Sequence, residues 1–120
     1  MKSPIVNRLH TTFIPVTDLK RSARWYSELI GEPFTEENVH PPVYNLPMTT
    51  PTGVTLDAGL EHVTPSSHPL FNFHTEDIDA SYRFVEQLGY TIKSDIQRFE
   101  DVSFFNIQDP DGNIVMICTG

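Results

Sequence analysis

Five histidines and sixteen carboxylates supply the acid–base and metal-binding potential of this chain, and strand spacing sorts them. The run LFNFHT at 70–75 reads as a strand that puts Leu70, Asn72 and His74 on one face. In GVTLDAG, alternation puts Val54 and Leu56 on one face and Thr55 and Asp57 on the other. If the apolar pair packs on a helix, Asp57 points to the open side. His74 and Asp57 are therefore the candidate catalytic pair. A histidine and a carboxylate act as base and acid when each reaches substrate directly or through one water. With a third donor they would instead hold a divalent ion. A hydrogen-bonded structural role for His74 weighs equally with either.

The other candidates read as structural. Glu36 and Glu37 form a solvated turn, and Glu76, Asp77 and Asp79 cluster where a helix begins and favours negative charge. His40 precedes Pro41 and Pro42 in a loop, and His10 points away from the face of its neighbour Thr11. His68 shares the face of Leu70 but lies about 7 Å along the strand. The single cysteine, Cys118, sits in the apolar run IVMIC as a small core or edge residue and has no disulfide partner in the chain.

These residues are carried on a repeated plan. Segment 18–31, DLKRSARWYSELIG, has Leu19, Ala23, Tyr26, Leu29 and Ile30 at helical spacing, with Asp18 to cap it and Gly31 to close it. Segment 77–89 repeats this with Ile78, Tyr82, Val85 and Leu88 between Asp77 or Asp79 and Gly89. A β-type run precedes each helix, at 10–16 and 70–75. Asp18 and Asp77 lie 59 residues apart, half the chain, which predicts a duplicated β-α-β-β-β unit. Further strands are expected at 34–39, 43–48 and 53–58, then at 90–96, 102–108 and 113–118, the last pair joined by the DPDG turn at 109–112. One domain over 1–120 is expected, with the first unit at about 5–60, a linker at about 61–69 and the second unit at about 70–120. The proline-rich stretch 37–53 softens the middle boundaries. Only one of Phe104 and Phe105 can face the open side. One of Trp25 and Tyr26 packs on the sheet, leaving the other for a partner contact.

A formal charge of −8 and a pI near 4.9 repel a phosphate backbone, so nucleic acid is excluded as a partner. No apolar run reaches the roughly 20 residues of a membrane span. The N-terminus lacks the apolar core of a signal peptide, and the expected location is cytoplasmic.

HTTFIPVTDLKRSARWYSELIG, FNFHTEDIDASYRFVEQLGY and FFNIQDPDGNIVMI, in that order and spacing, resemble the modules of the vicinal-oxygen-chelate superfamily, which includes glyoxalase, bleomycin-resistance and dioxygenase proteins. The resemblance covers nearly the whole chain. It implies an α+β fold in which two βαβββ modules form a curled mixed-sheet cup, as in the glyoxalase/bleomycin-resistance type. It also implies metal ligands on the first and last strands of each module. The first-strand position, seven residues before the capping aspartate, is Thr11 in one module and Leu70 in the other. The final-strand position, three residues after DPDGN, is Met116, and its counterpart in the first module falls near Asp57. A thioether is a poor donor for a hard divalent ion, and one carboxylate does not hold a metal tightly.

The cup is therefore expected to hold no metal and to need no cofactor. Its predicted lining is Thr11, Phe13, Asp57, Leu70, Asn72, His74, Ile114 and Met116, with Tyr44 and Asn45 as possible additions. Such a surface suits a partly apolar organic ligand held by a few hydrogen bonds. A metal-independent binding protein that sequesters or carries such a ligand is the leading expectation. The alternative is a glyoxalase-like lyase or isomerase, or a dioxygenase, with a displaced divalent metal site or a His74/Asp57 acid–base pair. Uncovered sheet edges also predict a homodimer.

Overall fold

A strand, an aspartate cap and a helix open each half of the chain. In the first half, β1 (Thr11–Pro15) leads to α1 (Leu19–Leu29), and Asp18 Oδ1 accepts from the Arg21 amide at 3.2 Å. In the second, β4 (Asn72–His74) leads to α2 (Ile78–Leu88), and Asp77 Oδ1 accepts from the Ala80 amide at 3.0 Å. Each carboxylate satisfies an amide that has no partner inside its helix. Gly89 ends α2 at a φ of +76°, a backbone conformation open to glycine at little cost.

The computed structural model describes residues 1–120 and holds two mixed sheets, neither closed into a barrel. In the first, β3 (Gly53–Asp57) is central, parallel to β1 and antiparallel to β2 (Val43–Asn45). The second runs in the order β4, β8 (Ile114–Cys118), β7 (Ser103–Gln108), β5 (Thr91–Ile92), with β6 (Gln97–Arg98) also paired to β7. The parallel contact of first and last strand, β1 with β3 and β4 with β8, is the signature of the duplication.

The two units are less alike than the repeat predicts. Residues 34–39 form no strand; Glu36–Asn38 make one 3₁₀ turn instead. Pro33, Pro41 and Pro42 remove amide donors on both sides of that stretch, so it cannot sustain a ladder. Pro47 likewise limits the strand expected at 43–48 to Val43–Asn45. The strand expected at 90–96 shrinks to Thr91–Ile92. The run at 70–75 pairs only over Asn72–His74, which leaves Leu70 outside the strand.

One face of every long strand is buried under its helix. Ile14, Val54 and Leu56 fill that face in the first unit, and Phe105, Ile107, Val115 and Ile117 in the second. With Leu19, Ala23 and Tyr26 from α1 and Ile78 and Val85 from α2 they belong to a single core. Burial of each large apolar side chain contributes about 1.5–3 kcal/mol. Trp25 is spent inside the chain as well: it stacks on Tyr90 with ring centroids 4.5 Å apart and meets Tyr26 edge-on at 4.7 Å.

A polar clasp joins the units beside that core. Tyr26 is fully buried, and its hydroxyl donates to Asp109 Oδ2 at 2.7 Å. Asp109 also accepts from Asn113 Nδ2 at 2.9 Å, the Asp111 amide at 2.9 Å and the Asn113 amide at 2.8 Å. Asn113 Nδ2 in turn donates to the Pro15 carbonyl at 3.0 Å. Burial first, and then the charge and hydrogen bond of Asp109, push the Tyr26 phenol far above its usual range. Asp111 accepts from the Thr17 amide and hydroxyl and from the Arg21 guanidinium, the last at 3.2 Å. The DPDG turn thus anchors the second unit to the first as well as reversing the chain.

Candidate functional site

Strand register places Thr11, Phe13, Val43, Asn45, Thr55 and Asp57 on the side of the first sheet turned away from its helix. In the second sheet, Asn72, His74, Phe104, Asn106, Ile114 and Met116 share the corresponding side. Phe105 is in the core, and Phe104, on the open side, stacks on Phe99 at 6.0 Å. A chain of hydrogen bonds crosses the first sheet. Thr55 Oγ1 donates its only proton to Asn45 Oδ1 at 2.7 Å, so in the 2.9 Å contact between Thr11 Oγ1 and Thr55 Oγ1 the donor is Thr11. In the second sheet Asn106 Oδ1 is buried with no partner beside Met116. A buried acceptor of this kind costs about 1–3 kcal/mol until something donates to it.

The largest cavity, about 580 Å³, lies at the free edge of β4, between the end of α1, residues 47–50 and α2. Asn72 and His74 line it, together with Thr49, Thr50, Thr75 and Ser81, over apolar walls that include Leu29, Ile30, Met48, Phe84 and Val85. Phe13, Leu70 and Ile114 meet elsewhere, in a recess of about 80 Å³ beside Tyr26 and Asn113. Tyr44 and Asn45 line a more open depression of about 460 Å³ with His40. Thr11, Asp57 and Met116 line none of these three. The eight residues expected around one cup are thus spread over two sheet faces and two cavities.

Asp57 and His74 are not brought together. They stand on different sheets and share no cavity. Asp57 Oδ1 accepts from the Gly59 amide at 2.8 Å, which closes the turn after β3. His74 Nε2 lies 3.1 Å from Glu76 Oε1 and Nδ1 lies 3.4 Å from the Gly120 carbonyl. The Glu76 contact, helped by that carbonyl, raises the imidazole above its ordinary pKa. The acid–base pair expected from alternation alone fails because alternation fixes a face and says nothing about which faces meet.

The family model described as the Glyoxalase/Bleomycin resistance protein/Dioxygenase superfamily matches residues 8–117. The chain belongs to this superfamily. Solved structures agree with its fold. Oxidase ChaP-H2 is 18% identical, with 97% of this chain and 95% of that chain covered at a TM-score of 0.73. TnmS3, an antibiotic binding protein from a Streptomyces species, is 20% identical, with 93% and 94% covered at 0.73. A glyoxalase/bleomycin resistance protein from Catenulispora acidiphila is 20% identical, with 92% and 97% covered at 0.67. No curated protein matches the chain.

Membership in this superfamily raises the question of a metal, and the residues do not fit one. Register pairs Phe13 with Thr55 and Asn72 with Met116, so the first-unit counterpart of Met116 is Thr55 and Asp57 lies two residues beyond it. The four positions are therefore Thr11, Thr55, Leu70 and Met116. Two hydroxyls already bonded to each other, an isobutyl group and a thioether make no ligand set for zinc or iron. Nowhere do three His, Cys, Asp or Glu side chains converge to replace them. Sequence could have found Thr55, because Thr55 and Met116 stand 61 residues apart, as do Asn45 and Asn106. The polar anchors Asn45 and Asn106 become visible only when the strands are set in that register.

Proposed function

We propose that the chain binds a small organic compound on the open sheet faces without a metal, and sequesters or carries it rather than transforming it. The observation that carries this reading is the filling of the four ligand positions by Thr11, Thr55, Leu70 and Met116, with the two hydroxyls hydrogen-bonded at 2.9 Å. TnmS3 shares the fold and is an antibiotic binding protein, which is consistent with a binding role. A second copy completes the surface in this proposal, because Phe13 is 60% exposed on the open face and Leu70 is 66% exposed beside β4.

Elemental analysis of protein purified without added metal is expected to find far less than one zinc, iron or manganese per chain. Sedimentation is expected to give twice the 13.7 kDa chain mass. Stoichiometric metal would overturn the metal-free reading, and a monomer at all concentrations would remove the second copy.

A further inference from the structure

The two junctions between the units are related by the internal repeat, and one is closed where the other is open. With the 59-residue offset of the helices, Tyr26 corresponds to Val85, Trp25 to Phe84 and Ser22 to Ser81. With the 61-residue offset of the hairpins, Asp109 corresponds to Met48 and Asp111 to Thr50. At the first junction Tyr26 and Asp109 fill the space, leaving about 80 Å³. At the second, Val85 and Met48 form no such bridge, and about 580 Å³ remains. Every counterpart named on that side lines the opening.

The geometry points to the open junction as a second binding site, at the free edge of β4, for a cationic amine on an aromatic or aliphatic body. The volume suits a compound of one or two rings. Phe84, Val85 and Met48 offer an apolar wall, and Thr50, Thr75 and Ser81 carry hydroxyls. Charge selects the sign. Of charged or titratable groups the lining holds Glu32 and His74 and no lysine or arginine, Glu76 at 3.1 Å offsets any charge on His74, and the chain carries a net −8. The cavity wraps the free edge of β4, where Asn72 and His74 meet it from the open side and Val85 and Ile117 from the helix side, and the strands of the first sheet take no part in it.

Tryptamine and indole-3-acetate carry the same ring with opposite charge and serve as probes. Titrated at pH 8 and followed by amide chemical shifts, tryptamine is expected to move Thr49, Thr50, Thr75 and Ser81 saturably, and to bind at least about tenfold more tightly than the acid. The double substitution Met48→Asn, Val85→Tyr rebuilds a neutral version of the closed junction, with the tyrosine hydroxyl donating to the asparagine oxygen, and is expected to weaken tryptamine about tenfold or more. Thr50→Trp, on an exposed loop, blocks the same space without touching the core and is expected to do likewise. Absence of saturable shifts, equal affinity for the two probes, or full binding by folded Thr50→Trp protein would overturn the site. So would shifts gathered on Thr11, Asn45 and Asn106, a result that would instead support binding on the open faces.

Discussion

One junction between the two units is a buried polar clasp and the other is a cavity, although the same supersecondary plan builds both. The difference comes from a few side chains. Tyr26 and Asp109 reach each other at 2.7 Å, where Val85 and Met48, their counterparts, have nothing to exchange. The closed junction holds the chain together, which leaves the open one free to be shaped by a ligand.

The strongest way to break this contrast is Asp109→Ala. Asp109 is 4% exposed and accepts four hydrogen bonds, so its loss strands the Tyr26 hydroxyl and the Asp111 and Asn113 amides and removes one of the two bonds that Asn113 Nδ2 donates. A loss of about 3–4 kcal/mol is expected in urea denaturation, since each stranded buried donor costs about 1–3 kcal/mol and partial relaxation recovers some of it. A loss below about 1 kcal/mol would mean the clasp does not join the units. Tyr26→Phe is a gentler cut: it removes one donor and leaves the ring packed against Trp25. The expected loss is about 1–2 kcal/mol by the same measurement.

Across the repeat, Ser81→Ala tests the open junction. Ser81 Oγ bonds only locally, to Thr75 Oγ1 at 2.7 Å and to the Asp77 carbonyl at 2.9 Å. Unfolding free energy is expected to fall by no more than about 1 kcal/mol. A larger loss would show that the local bonds to Thr75 and Asp77 hold the start of α2 in place more strongly than exposed bonds do.

The duplication behind this contrast was legible in the sequence, but the contrast itself was not. Capping aspartates, helical spacing and the DPDG turn announce the duplication, because caps and turns are local chemistry acting over a few residues. The strand expected at 34–39 is lost to a shortage of donors around Pro33, Pro41 and Pro42, a tertiary consequence of composition. The candidate site was harder to read. Alternation correctly separates Val54 and Leu56 from Thr55 and Asp57, yet only strand register shows that Thr55, rather than Asp57, lies opposite Phe13. Asp109 looked like a turn residue because its long-range partner, Tyr26, stands 83 positions away. No periodicity reports a contact of that span.

The smallest expected effect concerns pH, and it too separates the junctions. His74 on the open side corresponds to Pro15 on the closed side, which has no group to titrate. The hydrogen bond that His74 donates to Glu76, and then the one to the Gly120 carbonyl, raises His74 above its ordinary value of 6.5. A raised folded pKa means that the protonated form is favoured by folding. Its contribution to stability is therefore complete below 6.5 and fades as pH rises through the folded value. His74 is solvated, so the effect is to be sought in its own titration rather than in unfolding. The His74 ring-proton shift is expected to titrate with a midpoint above 6.5 and to move down toward it in Glu76→Gln. An unchanged midpoint in that variant would show that Glu76 does not hold the imidazole at the cavity edge, leaving Ser81 and Thr75 as the hydrogen-bonded polar groups of the open junction.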